Sequence, residues 1–267
     1  MLVEASELMV AGDVILIDCR FSLIDVDAGR VAYETGHIPG AHYLALDADL
    51  SGPLQKHGGR HPLPSADAFA QCLASLGIGP QTQVIAYDDS RLAFAARLWW
   101  MMRAIGYRPP ALLNGGYAAW LSAGGTPETK IPAKRDGEAA PSNQLAFSSV
   151  CGIDDLADCQ AAGAALVDSR EAARFQGLEE PIDPVAGHIP GAVNRPWQGV
   201  TGDDGRVASD KNLRQHWGDL LEQESMVVYC GSGVTACVNL FSLALLGRDD
   251  AALYAGSWSD WCSYLDT

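Results

Sequence analysis

The chain has 267 residues, 48% of them apolar and 19% charged, enough for one large or two small domains with a buried core. With 33 acidic against 18 basic side chains the net charge is −15, which excludes an electrostatic footprint for nucleic acid or for an anionic membrane surface. No apolar run approaches about 20 residues, so no membrane helix is expected, and Met1-Leu2-Val3-Glu4-Ala5-Ser6-Glu7-Leu8 carries acids where a signal peptide carries basic residues and a long apolar region, so a cytoplasmic protein is expected.

In chain order, a Val/Ile/Leu strand is predicted over residues 14–17 and closes on Asp18-Cys19-Arg20. The turn Gly36-His37-Ile38-Pro39-Gly40-Ala41 follows, then Tyr43-Leu44-Ala45-Leu46-Asp47. Next comes Gly58-Gly59-Arg60-His61-Pro62-Leu63-Pro64, whose glycines and prolines imply a fixed, irregular path. A second strand is predicted over residues 84–87, running into Asp88-Asp89-Ser90-Arg91. The helix expected over residues 93–104 carries Trp99-Trp100-Met101-Met102, too apolar to face water, and reads as core or domain interface. After Gly115-Gly116-Tyr117-Ala118-Ala119-Trp120 the chain turns rich in Pro, Gly, Lys and Glu without periodicity, the composition of a linker.

The same succession then repeats. Leu166-Val167-Asp168-Ser169-Arg170 answers Leu16-Ile17-Asp18-Cys19-Arg20, Gly187-His188-Ile189-Pro190-Gly191-Ala192 answers the first turn, and Gly256-Ser257-Trp258-Ser259-Asp260-Trp261 answers residues 115–120. Three matches in one order indicate a duplicated domain: residues 1–125, a linker at 126–146, and residues 147–267. Short buried strands alternating with helices imply an α/β fold in each half, a parallel sheet flanked by helices, with functional loops at the strands' carboxyl ends. Features present in both halves, the Asp/Arg pairs and the turn histidines His37 and His188, read as structural.

One stretch is not shared. Met226-Val227-Val228-Tyr229 reads as a strand that delivers Cys230 to the loop Gly231-Ser232-Gly233-Val234-Thr235-Ala236 and a helix through Leu246. Aligned on tyrosine, the first half has Asp88 at this place, so only the second half keeps a nucleophile. A thiol facing a helix N-terminus and a loop of backbone N–H groups is expected as a thiolate. The seven cysteines (Cys19, Cys72, Cys151, Cys159, Cys230, Cys237, Cys262) form no C-x-x-C pair, which argues against a zinc site and a disulfide framework, and no metal or cofactor is expected. A Cys-dependent phosphatase would need an arginine six positions after the cysteine; Ala236 stands there. Arg174, in Ala173-Arg174-Phe175, is a candidate to hold a substrate carboxylate through its planar fork.

The duplicated His-Ile-Pro-Gly-Ala turn, the Cys230 loop and Ala255-Gly256-Ser257-Trp258 together resemble a tandem-domain rhodanese, a sulfurtransferase of the thiosulfate/3-mercaptopyruvate class, over nearly the whole chain. The loop Cys230-Gly231-Ser232-Gly233-Val234-Thr235-Ala236, without basic residues, is similar to the 3-mercaptopyruvate form. The resemblance implies a persulfide on Cys230, a small anionic sulfur donor, and a thiol acceptor such as thioredoxin, or cyanide. It maps a proton relay onto Ser232, His61 and Asp47, and donor binding onto Arg174 and the loop residues Gly231, Gly233, Val234, Thr235 and Ala236. The mercaptopyruvate enzymes carry a second arginine where this chain has Pro181-Ile182-Asp183. The loop therefore points to mercaptopyruvate and the missing arginine to thiosulfate. A sulfur-relay or binding module without turnover is the remaining alternative.

Overall fold

The computed structural model describes residues 1–10, 12, 14–133 and 145–265, which fall into two compact units. The first comprises Met1–Gly52, Pro64–Ser148 and Asp203–Val207; the second comprises Pro53–Leu63, Ser149–Gly202 and Ala208–Thr267. Neither unit is continuous in sequence. The segment with His61 sits inside the first half of the chain yet belongs to the second unit, a feature that a division at residues 126–146 does not express. Of that expected linker, residues 134–144 lie outside the described residues, while Glu128 forms an antiparallel bridge with His37 inside the first unit.

In chain order the first unit contains β1 (Leu2–Val3), α1 (Ala5–Leu8), β2 (Ile15–Asp18), α2 (Ala28–Thr35), β3 (His42–Tyr43), α3 (Ala66–Ala74), β4 (Val84–Tyr87), α4 (Ala95–Ala104), β5 (Ala111–Leu113) and α5 (Gly116–Ser122). Its five strands are all parallel, in the order β1-β5-β4-β2-β3. The second unit contains β6 (Val150–Cys151), α6 (Ile153–Ala161), β7 (Ala165–Asp168), α7 (Ala172–Phe175), β8 (Val193–Asn194), α8 (Asp210–Trp217), β9 (Met226–Tyr229), α9 (Ala236–Leu245), β10 (Ala252–Tyr254) and α10 (Ser257–Cys262), with short 3-10 turns at Trp197–Val200 and Gly218–Glu222. Its order, β6-β10-β9-β7-β8, repeats the first sheet strand for strand. The central strands β4 and β9 are buried at every residue, as four-residue apolar runs covered on both faces must be.

The duplicated sequence matches serve as framework. Asp18 accepts a forked pair from Arg20, and Asp168 one from Arg170, both pairs buried with closest approaches of 2.6 Å. Each arginine also donates to a turn carbonyl, Gly36 O at 2.8 Å and Gly187 O at 2.6 Å. Each lies over an aromatic ring of the other repeated motif, Tyr117 and Trp258. A buried pair of this kind specifies the strand-to-turn geometry; removing one partner would leave a bare charge in the core. The turn histidines play the expected structural part: His37 Nδ1 bonds Tyr33 O at 2.8 Å and His188 Nδ1 bonds Phe175 O at 2.7 Å. Helix α4 begins two residues later than the predicted start at residue 93, because Asp88 bonds the N–H groups of Phe94 and Ala95 and holds the preceding turn out of the helix.

Candidate active site

Strand β9 ends at Tyr229, and Cys230 is the next residue, 1% exposed. Three hydrogen bonds fix the backbone at the start of the loop. The Cys230 N–H donates to Ser257 Oγ at 3.1 Å, the Cys230 carbonyl accepts from Trp258 N–H at 3.0 Å, and the Gly231 carbonyl accepts from Ser259 N–H at 2.9 Å. Ser257 in turn donates to Tyr254 O at 2.8 Å. It adopts a left-handed φ of +57°, a conformation costly for a residue with a Cβ and characteristic of functional sites. The Gly-Ser-Trp motif therefore does more than mark the repeat: its serine grips the Cys230 amide.

The glycine of the loop's centre is required by space. At Gly233, φ is +73° and a Cβ would lie 2.2 Å from Ala255 O. Val234 is buried and Thr235 is the N-cap residue of α9, its hydroxyl making no capping bond among the described residues. Cys230 thus stands at the carboxyl end of a parallel strand, within a tight loop that leads into a ten-residue helix.

The first unit contains the same loop with a visible anion in it. Asp88 Oδ1 accepts from the N–H groups of Ser90 (2.8 Å) and Leu92 (3.0 Å), and Oδ2 from those of Phe94 (3.0 Å) and Ala95 (2.9 Å). Burial pushes the Asp88 carboxyl above its ordinary value, more than the four N–H bonds lower it. Backbone donors converge on both oxygens, the arrangement that suits a carboxylate. This loop form is an anion cradle.

Of the expected site residues, the second unit brings His61, Ser232 and Arg174 to the Cys230 loop. His61 Nδ1 and Ser232 Oγ are 2.8 Å apart, with Ser232 buried. Arg174 is buried against the loop: a Cβ added at Gly231 would lie 3.6 Å from its Nη1 and Nη2. Its guanidinium donates to Glu180 from Nε (3.2 Å) and Nη2 (2.7 Å), and from Nη2 to Asp183 Oδ2 (3.2 Å). Burial raises the Glu180 carboxyl, but Arg174 and the N–H groups of Asp183 and Ile182 outweigh it and hold the group below its ordinary value. Asp47 is a residue of the first unit, exposed on the turn that follows β3.

Two residues of this unit were not singled out by the sequence. One is Ser257, whose left-handed φ has no signature in Gly-Ser-Trp. The other is Arg60, whose guanidinium pairs with Asp183 and stands against Gly231. Its only sequence signal was a solitary arginine next to His61 in a strongly acidic chain.

Comparison with known proteins gives a consistent set of matches. A model of the "Rhodanese-like domain" matches residues 1–123 and again 153–264. The chain is 44% identical over 260 residues to a Pseudomonas aeruginosa protein named "Probable 3-mercaptopyruvate sulfurtransferase", covering 93% of this chain and 89% of that one. It is 34% identical over 240 residues to the "Thiosulfate sulfurtransferase" of Gallus gallus, covering 87% and 80% respectively. Among solved structures, that of the 3-mercaptopyruvate sulfotransferase SseA from Escherichia coli superposes with a TM-score of 0.80 at 31% identity, covering 97% of this chain and 98% of the other.

Proposed function

The chain belongs to the family of rhodanese-like domains and is a sulfurtransferase; from that premise we propose that Cys230 carries the transferred sulfur, from 3-mercaptopyruvate or thiosulfate to a thiol acceptor. The observation that carries this reading is the contrast between the two loops. Where the first unit closes four N–H groups on the Asp88 carboxylate, the second has a cysteine and no side-chain anion at the equivalent place. The loop is thus free to stabilise a thiolate and then a persulfide anion.

The reaction has two halves. The Cys230 thiolate attacks the donor's outer sulfur and forms an S–S bond. With mercaptopyruvate the donor's C–S bond breaks, its electron pair leaves on the pyruvate enolate, and that enolate takes up a proton; with thiosulfate the S–S bond breaks and sulfite leaves. An acceptor thiolate, such as that of reduced thioredoxin in the cytoplasm, or cyanide then attacks the outer sulfur and restores Cys230. In this reading Ser232, bonded to His61 at 2.8 Å, gives its proton to the enolate while His61 Nδ1 returns one to the Ser232 oxygen. Sulfite needs no such proton. His61→Ala is therefore expected to depress turnover with mercaptopyruvate about a hundredfold, the scale of general acid–base catalysis, and turnover with thiosulfate far less. Equal losses with both donors would remove the relay.

The direct test incubates the protein with each donor and weighs it intact. The wild-type chain is expected to gain one sulfur atom and Cys230→Ser none; an undiminished gain in the variant would overturn the assignment. Thiocyanate production with cyanide as acceptor separates an enzyme from a module that only binds, since the latter yields none with either donor.

A further inference from the structure

The sequence leaves the donor's anionic group with one arginine, Arg174, because Pro181-Ile182-Asp183 stands where a second was expected. In the second unit, that aspartate is what positions a replacement. Asp183 is buried, and its two oxygens face two different guanidinium groups: Oδ1 pairs with Arg60 Nη1, and Oδ2 accepts from Arg174 Nη2 at 3.2 Å. Both arginines then border Gly231, the residue after the nucleophile. A Cβ there would lie 3.1 Å from Arg60 Nη2 and 3.6 Å from Arg174 Nη1. Among the described residues neither Arg60 Nη2 nor Arg174 Nη1 has a hydrogen-bond partner, although Arg60 Nη1 is held by Asp183 and Arg174 Nε and Nη2 by Glu180 and Asp183. Two donors on two fixed forks are therefore unspent beside Cys230.

Fixation has a structural basis. Arg60 follows Gly59, whose φ is +80° and whose Cβ position lies 2.4 Å from Gly256 O, so only glycine lets the backbone pass there. The Arg60 N–H donates to Ser259 Oγ at 3.1 Å, and the Gly58 N–H to Asp260 Oδ1 at 2.6 Å. The backbone carrying Arg60 is thus bonded to the helix that begins with Ser257, which also holds the Cys230 amide. Charge balance completes the picture: Arg60 and Arg174 are matched by Glu180 and Asp183. An incoming anion meets two guanidinium forks already partly neutralised by a resident carboxylate.

We propose that Arg60 is the second donor-binding residue of this site, engaging the carboxylate of a 2-oxo-3-thio acid together with Arg174, and that Asp183 both positions the two arginines and competes with the donor for them. This rests on the sulfurtransferase reading above. The donor's carboxylate spans Arg60 Nη2 and Arg174 Nη1, each supplying a charge-assisted hydrogen bond to one oxygen. The site meets a planar carboxylate from two sides, and the missing arginine of the Glu-Pro loop is supplied from residue 60 instead.

The test is steady-state kinetics of Arg60→Gln, Arg60→Lys and Asp183→Asn with 3-mercaptopyruvate, together with the inhibition constant of pyruvate, which carries the same carboxylate and does no chemistry. Arg60→Gln is expected to raise KM and the pyruvate constant in parallel, about 30-fold, with kcat within about threefold, and Arg60→Lys to recover part of the loss. Asp183→Asn is expected to lower both constants, a change that a damaged fold does not produce. Thermal melting of each variant identifies one that has not folded, and the two remaining variants then decide. KM and pyruvate inhibition unchanged in a folded Arg60→Gln, a loss confined to kcat, or constants raised by Asp183→Asn would each overturn the proposal. Failure of the underlying reading looks different: the wild-type chain would give no persulfide and no thiocyanate, whatever stands at residue 60.

Discussion

Asp88 and Cys230 follow equivalent strands and open equivalent loops, but the first residue fills its cradle and the second leaves it open. In the first unit the carboxylate draws in four N–H groups, pushes the start of α4 back to Ala95 and leaves Arg91 and Leu92 at left-handed φ values of 60° and 70°. In the second, α9 starts one residue sooner after its strand, a glycine takes the left-handed position at φ +73°, and the buried atom at the centre is a sulfur. A second difference supports the first. Gly116 and Ser257 occupy matching places with φ of +59° and +57°, yet a Cβ at Gly116 would lie 2.2 Å from Asp88 O, whereas Ser257 has room and uses its hydroxyl to hold the Cys230 amide. The lesson is that the scaffold gathers backbone donors on a carboxyl in the first unit and, in the proposed reading, offers the same loop to a substrate-derived anion in the second. Whether it catalyses depends on whether the anion is part of the protein or arrives with the substrate.

The comparison can be broken outright by Cys230→Asp, which gives the second loop the first loop's residue. Turnover with both donors is expected to fall by about a thousandfold or more, while urea denaturation still shows a cooperative transition. The reverse side is tested by Asp88→Asn. It turns an amide donor toward N–H groups that need acceptors and is expected to destabilise the protein by about 3 kcal/mol in urea, with KM for the donor nearly unchanged. A large KM effect would mean that the filled cradle does more than hold its own fold.

A finer probe is Ser257. Ser257→Ala removes the bond to Cys230 N–H while keeping the Cβ, and Ser257→Gly removes both but suits the left-handed backbone. Both are expected to lose about tenfold in kcat, the scale of about 1.4 kcal/mol for a misplaced nucleophile. If only the alanine variant loses activity, backbone strain rather than the hydroxyl is responsible.

The smallest effect concerns Glu180, which has no counterpart on Arg20 among the described residues of the first unit. Its carboxyl is held below the ordinary value of 4.5, so its contribution to stability is present above that pH and disappears as pH falls through the lowered value. Glu180→Gln is expected to remove about 1 kcal/mol at neutral pH and almost nothing under strongly acid conditions, as read from urea midpoints across pH.

Much of this was legible in the residues themselves. The strand ends, the two sheets, the structural Asp/Arg pairs and the substitution of Asp88 for Cys230 follow from runs of Val, Ile and Leu and from a repeat that aligns without structure. His61 beside Ser232 was reachable only through family resemblance, since no local pattern joins residues so far apart, whereas Arg174 was already a candidate from the chemistry of its guanidinium fork. Arg60 escaped both routes. Its partner Asp183 lies 123 positions away, and the pairing depends on a loop path set by Gly58 and Gly59 that neither periodicity nor motif encodes. Ser257 escaped because a left-handed serine is written in the same letters as an ordinary one.

The assignment of residues 53–63 to the second unit has a genetic consequence. A gene trimmed to residues 147–267 would encode both walls of the second sheet and the nucleophile, yet neither Arg60 nor His61. If Arg60 and His61 act as proposed, a first domain without its own cysteine is still kept, because a strip of the second unit is embedded in its reading frame. Circular permutation that opens the chain between residues 134 and 144 keeps that strip in place; domain excision does not.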